Sequence, residues 1–351
     1  MGFITSIRVW VSKNKQEYQL KKSNTSLKKV KFSTDSSSSV TNDVASPSGS
    51  TVSGKTGGSQ TTYKPPHKFE AGRRFHDIEN ISYFFPNDDD EVDRLHEQHW
   101  IVRHIMGGNY QSPIEKDLEN GIIVLDSGCG PATWSLDMAE MYPNSTFHGV
   151  DAYPVYPNEV KPPNCHFQPA NVAEKLPFPD NHFDFIYQRL LIFGLTRTDW
   201  KNAIKELLRV LKPGGWIEIL ECDIEFENEG PKQHRVMDAI HQAFHKKDMS
   251  PGIARELGPD YLKPTGQLEV INDKIIAFPL NHGGKLGKLF WDDFSNACIA
   301  LHAWVQKEDS GFEELDEYKN FMIECAEECT EHKTNMLWHC YSAQKKKSAS
   351  D

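Results

Sequence analysis

Long apolar runs are missing from this sequence. None approaches the roughly 18 residues that a helix needs to cross a bilayer, so a membrane-spanning helix is excluded. Cysteine is sparse. The seven residues, Cys129, Cys165, Cys222, Cys298, Cys325, Cys329 and Cys340, are odd in number and their spacing shows no disulfide framework. No secretory signal peptide precedes them, because Arg8 and Lys13 interrupt the one apolar stretch near the start. A reducing intracellular compartment is therefore expected. Metal-ligand frameworks are missing as well. His234, His241 and His245 fall in one predicted helix, and His241 and His245 share a face, but no acid or cysteine set surrounds them. Cys325, Cys329 and His332 also share a helical face, yet cysteine is a small buried hydrophobe more often than a ligand. No metal is expected, and no internal repeat is present.

Positive charge is scarce outside the N-terminal tail. Ten Lys and Arg up to Pro66 face three acids there, a surplus of seven; with −11 for the whole chain, the remainder stands at −18. A body this acidic is a poor general partner for nucleic acid, since phosphate contacts need Lys and Arg. The tail holds SSSS at 36–39, SPSGS at 46–50 and SGKTGGSQTT at 53–62. Such a segment cannot bury enough apolar area to offset its ordering entropy, so residues 1–66 are predicted to be disordered. Gly2 followed by Ser6 fits an acylation pattern. With the lysine-rich stretch to Lys31, it makes a two-signal arrangement for peripheral membrane contact. A solvated tail that happens to begin Met-Gly is the other reading.

Order is expected from His67. Asn87 precedes Asp88, Asp89, Asp90 and Glu91, which predicts a helix capped at Asn87 and closed by Gly107 and Gly108. Strands are expected at 122–125, 146–150, 166–168, 183–187 and 216–220, with helices at 134–141 and 200–211 and a turn at Lys212-Pro213-Gly214-Gly215. Strands alternating with helices imply an α/β doubly wound, mostly parallel sheet. Further on, helices are expected at 233–245, 288–305 and 313–329 and strands at 270–279 and 336–343.

The chemistry concentrates in VLDSGCGPATW, residues 124–134. A strand ends in Asp126 and runs into Gly128 and Gly130, which let backbone approach a ligand. In open α/β sheets, ligands bind beyond the carboxyl ends of the strands. A dinucleotide fingerprint would carry a third glycine where Thr133 stands, and the Asp126 charge would repel a pyrophosphate. That argues against a nicotinamide dehydrogenase. The same charge suits a ligand with an ammonium or sulfonium group. The next strand, FHGVD, ends in Asp151, 21 residues past Gly130, where a carboxylate binds ribose hydroxyls.

These blocks resemble the class I S-adenosylmethionine-dependent methyltransferases. VLDSGCGPATW looks like the family's first motif and FHGVD like its second; LPFPDNHFDFIYQR and ELLRVLKPGGWIEILE resemble the blocks around the fourth and fifth strands. YFFPNDDDEVDRLHEQH, residues 83–99, is similar to a stretch in a fungal subgroup that includes regulators of secondary metabolism. The resemblance implies a seven-stranded Rossmann-like methyltransferase over 111–343, an N-terminal lid segment over 67–110, a late helical insertion and a polar tail at 344–351. It implies that S-adenosylmethionine is held at its methionine part by Asp126, Gly128 and Gly130 and at its ribose by Asp151. Asn171 and Val172 fall at the adenine positions, and Gln188 and Arg189 where the pocket floor meets substrate. Tyr83 and the helix after it would fold over the cofactor. Ala132 stands where many members have a third glycine, and Asn171 replaces a position that is usually acidic.

Candidates for a proton-accepting base are His99, Tyr187 and His245, and each also has a plain packing role open to it. FWDDF at 290–294 would wall the substrate side or finish the core. The implied activity is methyl transfer to an unidentified acceptor, small molecule or protein; the alternative is a cofactor-binding regulator acting through partners without turnover. A cytoplasmic or nuclear location is expected, with a membrane-associated fraction if Gly2 is acylated.

Overall fold

The computed structural model describes residues 66–79 and 81–347. The tail expected to be disordered, the Gly2 pattern and the basic stretch to Lys31 lie outside the described residues. The described chain opens with an antiparallel hairpin, β1 (His67–Glu70) and β2 (Arg73–His76). Helix α1 (Asp89–Met106) follows. Its cap is Asp88, one residue later than the sequence pattern predicts: the Asp88 carboxylate accepts from the Glu91 amide and pairs with Arg73. Asn87 is buried, and its side-chain oxygen accepts from Arg74 Nε at 3.0 Å, so it is committed to the hairpin rather than to the helix. Gly107 ends α1 in the left-handed conformation expected of it.

Helix α2 (Glu115–Asn120) leads into the sheet strands β3 (Ile123–Ser127), β4 (Thr146–Asp151), β5 (Cys165–Pro169), β6 (Phe183–Arg189), β7 (Leu211–Glu227), β8 (Leu268–Pro279) and β9 (Asn335–Lys345). Their order is β5-β4-β3-β6-β7-β9-β8. β3 to β7 pair in parallel, and β9 lies between β7 and β8, antiparallel to both. This is the doubly wound, mostly parallel seven-stranded sheet that the pattern implies. The order reverses at β3, so the carboxyl ends of β3, β4 and β6 open onto the crevice where such sheets bind ligands.

The connecting helices are α3 (Thr133–Met141), α4 (Arg197–Val210), α5 (Pro231–Lys246), α6 (Lys285–Ala300), α7 (His302–Glu308) and α8 (Leu315–His332). α4 starts with a reciprocal capping box between Thr196 and Asp199. Three further expectations need correction. Residues 212–215 form a bulge inside β7 rather than a separate turn: Phe183 pairs with Leu211 but Phe185 with Trp216, and Gly214 supplies the positive φ of 76°. The helix expected over 288–305 is two, α6 and α7, because Leu301 takes ψ 1° and leaves the helical path. β9 also runs two residues beyond 343, where Gln344 pairs with Trp216.

One hydrophobic cluster joins Trp134 and Met138 of α3 to Phe147 and Phe185 of the sheet. A larger one joins Trp200, Ile204 and Leu207 of α4 to Met237, Ile240 and Phe244 of α5 and to Phe84 and Phe85 of the N-terminal segment. Each fully buried side chain of this size contributes about 1.5–3 kcal/mol. The N-terminal segment is thus packed into the body: Phe84 N donates to Phe193 O, Trp304 Nε1 donates to Phe84 O at 2.9 Å, and Phe84 stacks on Phe244.

Candidate functional site

A cavity of about 790 Å³ lies at the carboxyl ends of β3 and β4. Its floor is the glycine loop after β3. The amides of Gly128 and Cys129 both donate to Val150 O at 2.9 Å, which holds the loop against β4. Gly128 has φ 70°, and a Cβ there would stand 2.6 Å from Leu191 Cδ2. Gly130 has φ 52°, but a Cβ there would meet nothing within 4 Å; that side of the loop is open. Asp151, at the end of β4, lines the cavity and accepts from Gly130 N at 2.8 Å and from Tyr153 N at 2.9 Å. Burial raises its pKa while those two amides oppose the rise. Each carboxylate oxygen keeps a lone pair beyond these bonds.

The other strand-end acid behaves differently. Asp126 is buried, does not line the cavity, and accepts from Ser135 Oγ at 2.6 Å, which ties β3 to α3. Burial pushes its pKa up to about 6, against the pull of the Ser135 bond and of Arg189. Ala132, the position of the missing third glycine, has φ 63° and is fully buried; a left-handed non-glycine residue costs about 1–2 kcal/mol.

Tyr83, Glu91 and Leu95 come to the cavity from the N-terminal segment and α1, and Asn171 and Val172 from the loop after β5. Asn171 Oδ1 accepts from the Ala173 amide at 3.0 Å and its Nδ2 donates to Glu174, so the side chain is engaged in its own turn. The structure therefore brings Tyr83, Gly128, Gly130, Asp151, Asn171 and Val172 together. The remaining candidates lie apart from this cavity. Gln188 is fully buried, accepting from Ser127 Oγ at 2.9 Å. Arg189 and Tyr187 line a separate pocket of about 220 Å³ with Glu218. Tyr187 stacks on Trp134 at 4.2 Å, and burial holds its hydroxyl well above the ordinary range. His99 is completely buried, with Nε2 3.2 Å from Asp137 Oδ2, and burial pushes its pKa down to about 4. His245 is exposed on α5 and lines none of these cavities.

One residue shapes the site without a motif to announce it. Glu221, fully buried in β7, accepts from Leu191 N at 2.8 Å and Ile192 N at 3.1 Å, and burial pushes its pKa up to about 8. It pins the loop after β6, whose Leu191, Gly194 and Leu195 line the cavity. The available signal was an acid inside the apolar run WIEILEC.

A second cavity, of about 650 Å³, adjoins the first; Tyr83 and Leu95 line both. Its wall is mostly apolar, from Phe193, Met237, Ile240, Phe290, Phe294 and Trp338 among others. Phe290 and Phe294 of FWDDF both line it and are buried, so that stretch walls a cavity and finishes the core at once. Among the described residues no His, Cys, Asp and Glu group is placed to hold a metal ion, and no helix is long and apolar enough to cross a membrane. All seven cysteines are free and buried.

Residues 124–215, which carry the glycine loop, Asp151 and β6, match a family described as a methyltransferase domain. The N-methyltransferase verN of Clonostachys rogersoniana is 31% identical over 194 residues, 52% of this chain and 67% of that protein. The chain belongs to the class I S-adenosylmethionine-dependent methyltransferases. The N-methyltransferase sirN of Leptosphaeria maculans is 28% identical over 227 residues, covering 61% of this chain and 76% of that one. The secondary metabolism regulator laeA of Aspergillus niger is 33% identical over 169 residues, 46% of this chain but 43% of the relative. The relatives of this chain thus include both fungal N-methyltransferases and fungal regulators, and the methyl donor of its family is S-adenosylmethionine. A methyl acceptor follows from the activity, without its chemistry being fixed.

Proposed function

We propose that the 790 Å³ cavity holds S-adenosylmethionine, with the adenosine end at Asp151 and Val172 and the methionine end over Gly128 and Gly130. The observation that carries this is the open side of Gly130 beside the Asp151 carboxylate: backbone bare enough for a ligand to lie on it, next to an acceptor with unused lone pairs. Bound there, the cofactor supplies a methyl group already activated on a cationic sulfur. The chain's own residues bind, orient and exclude water. Asp151 takes the ribose hydroxyls. Asn171 spends its side chain on its turn, so the adenine contact falls to Val172 and to backbone. Tyr83 and Leu95 cover the cofactor where its cavity borders the second one. Asp126 acts from behind the loop: its buried charge favours a cation at the site, and its bond to Ser135 fixes the start of α3.

Methyl transfer by in-line displacement asks the protein mainly for alignment, worth far more than any single proton transfer when the reacting atoms are held in line. His99 and His245 lie away from the second cavity, and neither serves as base in this arrangement. Calorimetric titration of the full chain with S-adenosylmethionine tests the donor site. Asp151→Ala is expected to weaken binding by about tenfold to a hundredfold, the effect of losing hydrogen bonds to a charged group. Unchanged affinity in that variant, or no binding by the wild type, sinks the reading.

The relatives named as secondary metabolism regulators favour a second reading, in which the protein binds the donor and acts through partners without turnover. A radiolabelled-methyl assay on cell extract decides between them: a labelled acceptor supports the enzyme, and donor binding with no labelled acceptor supports the regulator. The −18 body argues against general nucleic-acid binding under either reading. A cytoplasmic or nuclear location, with membrane attachment through an acylated Gly2, is tested by fractionating wild type against Gly2→Ala.

A further inference from the structure

The second cavity has a polar end whose wiring is selective. Arg94 of α1 donates through Nε at 3.0 Å and Nη2 at 2.5 Å to the Glu91 carboxylate, and through Nη1 at 2.8 Å to Asp293 Oδ1. Gln98 Nε2 donates to Asp293 Oδ2 at 2.9 Å. Glu91, Gln98 and Asp293 are all buried, and the Arg94 side chain is 9% exposed. Two carboxylates thus surround one guanidinium, so the cluster carries no surplus positive charge. Asp293 still has lone pairs for another donor, since a carboxylate accepts about four hydrogen bonds and two are used. Trp338 also lines this cavity and is buried, and its indole Nε1–H has no hydrogen-bond partner among the described residues.

We infer that this cavity is the acceptor site and that it takes a largely apolar small molecule carrying a basic nitrogen, with that nitrogen held at Asp293. The inference rests on the reading that the first cavity holds the donor, because Tyr83 and Leu95, common to both, are then where the two substrates meet. The lining supports a small molecule: apolar side chains from several elements surround a short polar end. Charge selects the nitrogen. A carboxylate entering this end meets Asp293 and an Arg94 already engaged by two acids, and desolvating an unpaired charge is costly. An amine meets an acceptor with free lone pairs.

The test is calorimetric titration of the full chain with three probes of one shape: 4-phenylbutylamine, 4-phenylbutan-1-ol and 4-phenylbutanoate. The amine is expected to bind at least about tenfold more tightly than the carboxylate. Asp293→Asn should bring the amine down to the level of the alcohol. Ala297→Trp, which fills the cavity from α6 one turn beyond Asp293, should abolish amine binding even if the Asn variant folds poorly. Affinity for S-adenosylmethionine should stay within about twofold in Ala297→Trp. Equal binding of carboxylate and amine, no measurable amine binding, or amine binding that survives Ala297→Trp overturns the inference. Failure of the wild type to bind S-adenosylmethionine overturns the donor reading instead, while the amine titration still decides which ligand the second cavity takes.

Discussion

The two cavities are built from different materials. The first is floored by backbone and by one strand-end acid, drawn from residues 128–155 that lie close together in the chain. The second is walled by side chains from α1, the loop after β6, β7, α5, α6 and β9, spread from Tyr83 to Trp338. Backbone geometry tolerates few substitutions, and an apolar wall tolerates many as long as volume is kept. On the proposed assignment, donor recognition is written in spacing, whereas acceptor choice is written in the composition of a surface that only folding assembles.

Substitutions can break this contrast. The largest effect is expected at Gly128. Its φ of 70° and the 2.6 Å approach to Leu191 mean that Gly128→Ala carries both backbone strain and overpacking, about 2–5 kcal/mol of lost stability. Thermal or denaturant unfolding checks it. Gly130→Ala is the companion: its Cβ meets nothing, so stability should fall by only about 1–2 kcal/mol, while donor affinity drops by at least about tenfold because the methyl stands on the open side. If Gly130→Ala leaves donor binding intact, the floor of the cavity is not where the ligand lies.

The two aspartates sharpen the contrast through pH. Asp126 has a folded pKa raised to about 6, so the stability contributed by its neutral form is present below the unfolded value and is lost as pH rises from about 4 through 6. The loss amounts to at most about 3 kcal/mol. Asp126→Asn should flatten that part of the stability–pH curve, since the amide can still accept from Ser135. An unaltered curve would mean that the acid is already ionised in the folded protein. The smallest effect is expected at Ala132→Gly. Relief of the left-handed strain is offset by greater freedom of the unfolded chain and by one lost buried methyl, so stability should stay within about 1 kcal/mol. Destabilisation well beyond that would mean the alanine methyl packs as part of the loop.

Much of the donor side was legible because its signals are local. Gly128, Gly130 and Asp151 sit at fixed spacing around two short apolar strands, and the alternation that follows sets the sheet order. What the spacing could not show is which acid faces the cavity. Asp126 and Asp151 both end strands, but Ser135, in the first turn of α3, turns Asp126 inward, and the Gly130 and Tyr153 amides hold Asp151 at the rim. Asn87 looked like a cap until Arg74, brought beside it by the β1–β2 hairpin, engaged it. Arg94 and Asp293, 199 positions apart, form one buried pair that no local pattern relates. Glu221 is visible only as an acid in an apolar run, and its use, holding the loop after β6, appears only in three dimensions.

The most direct test is a crystal structure of the full chain with S-adenosylhomocysteine. The ribose hydroxyls should lie within hydrogen-bond distance of the Asp151 carboxylate, with the homocysteine backbone against Gly130 and Tyr83 beside the ligand at the border with the second cavity. Nucleoside density anywhere else, or an Asp151 that contacts only the amides of Gly130 and Tyr153, would contradict the account.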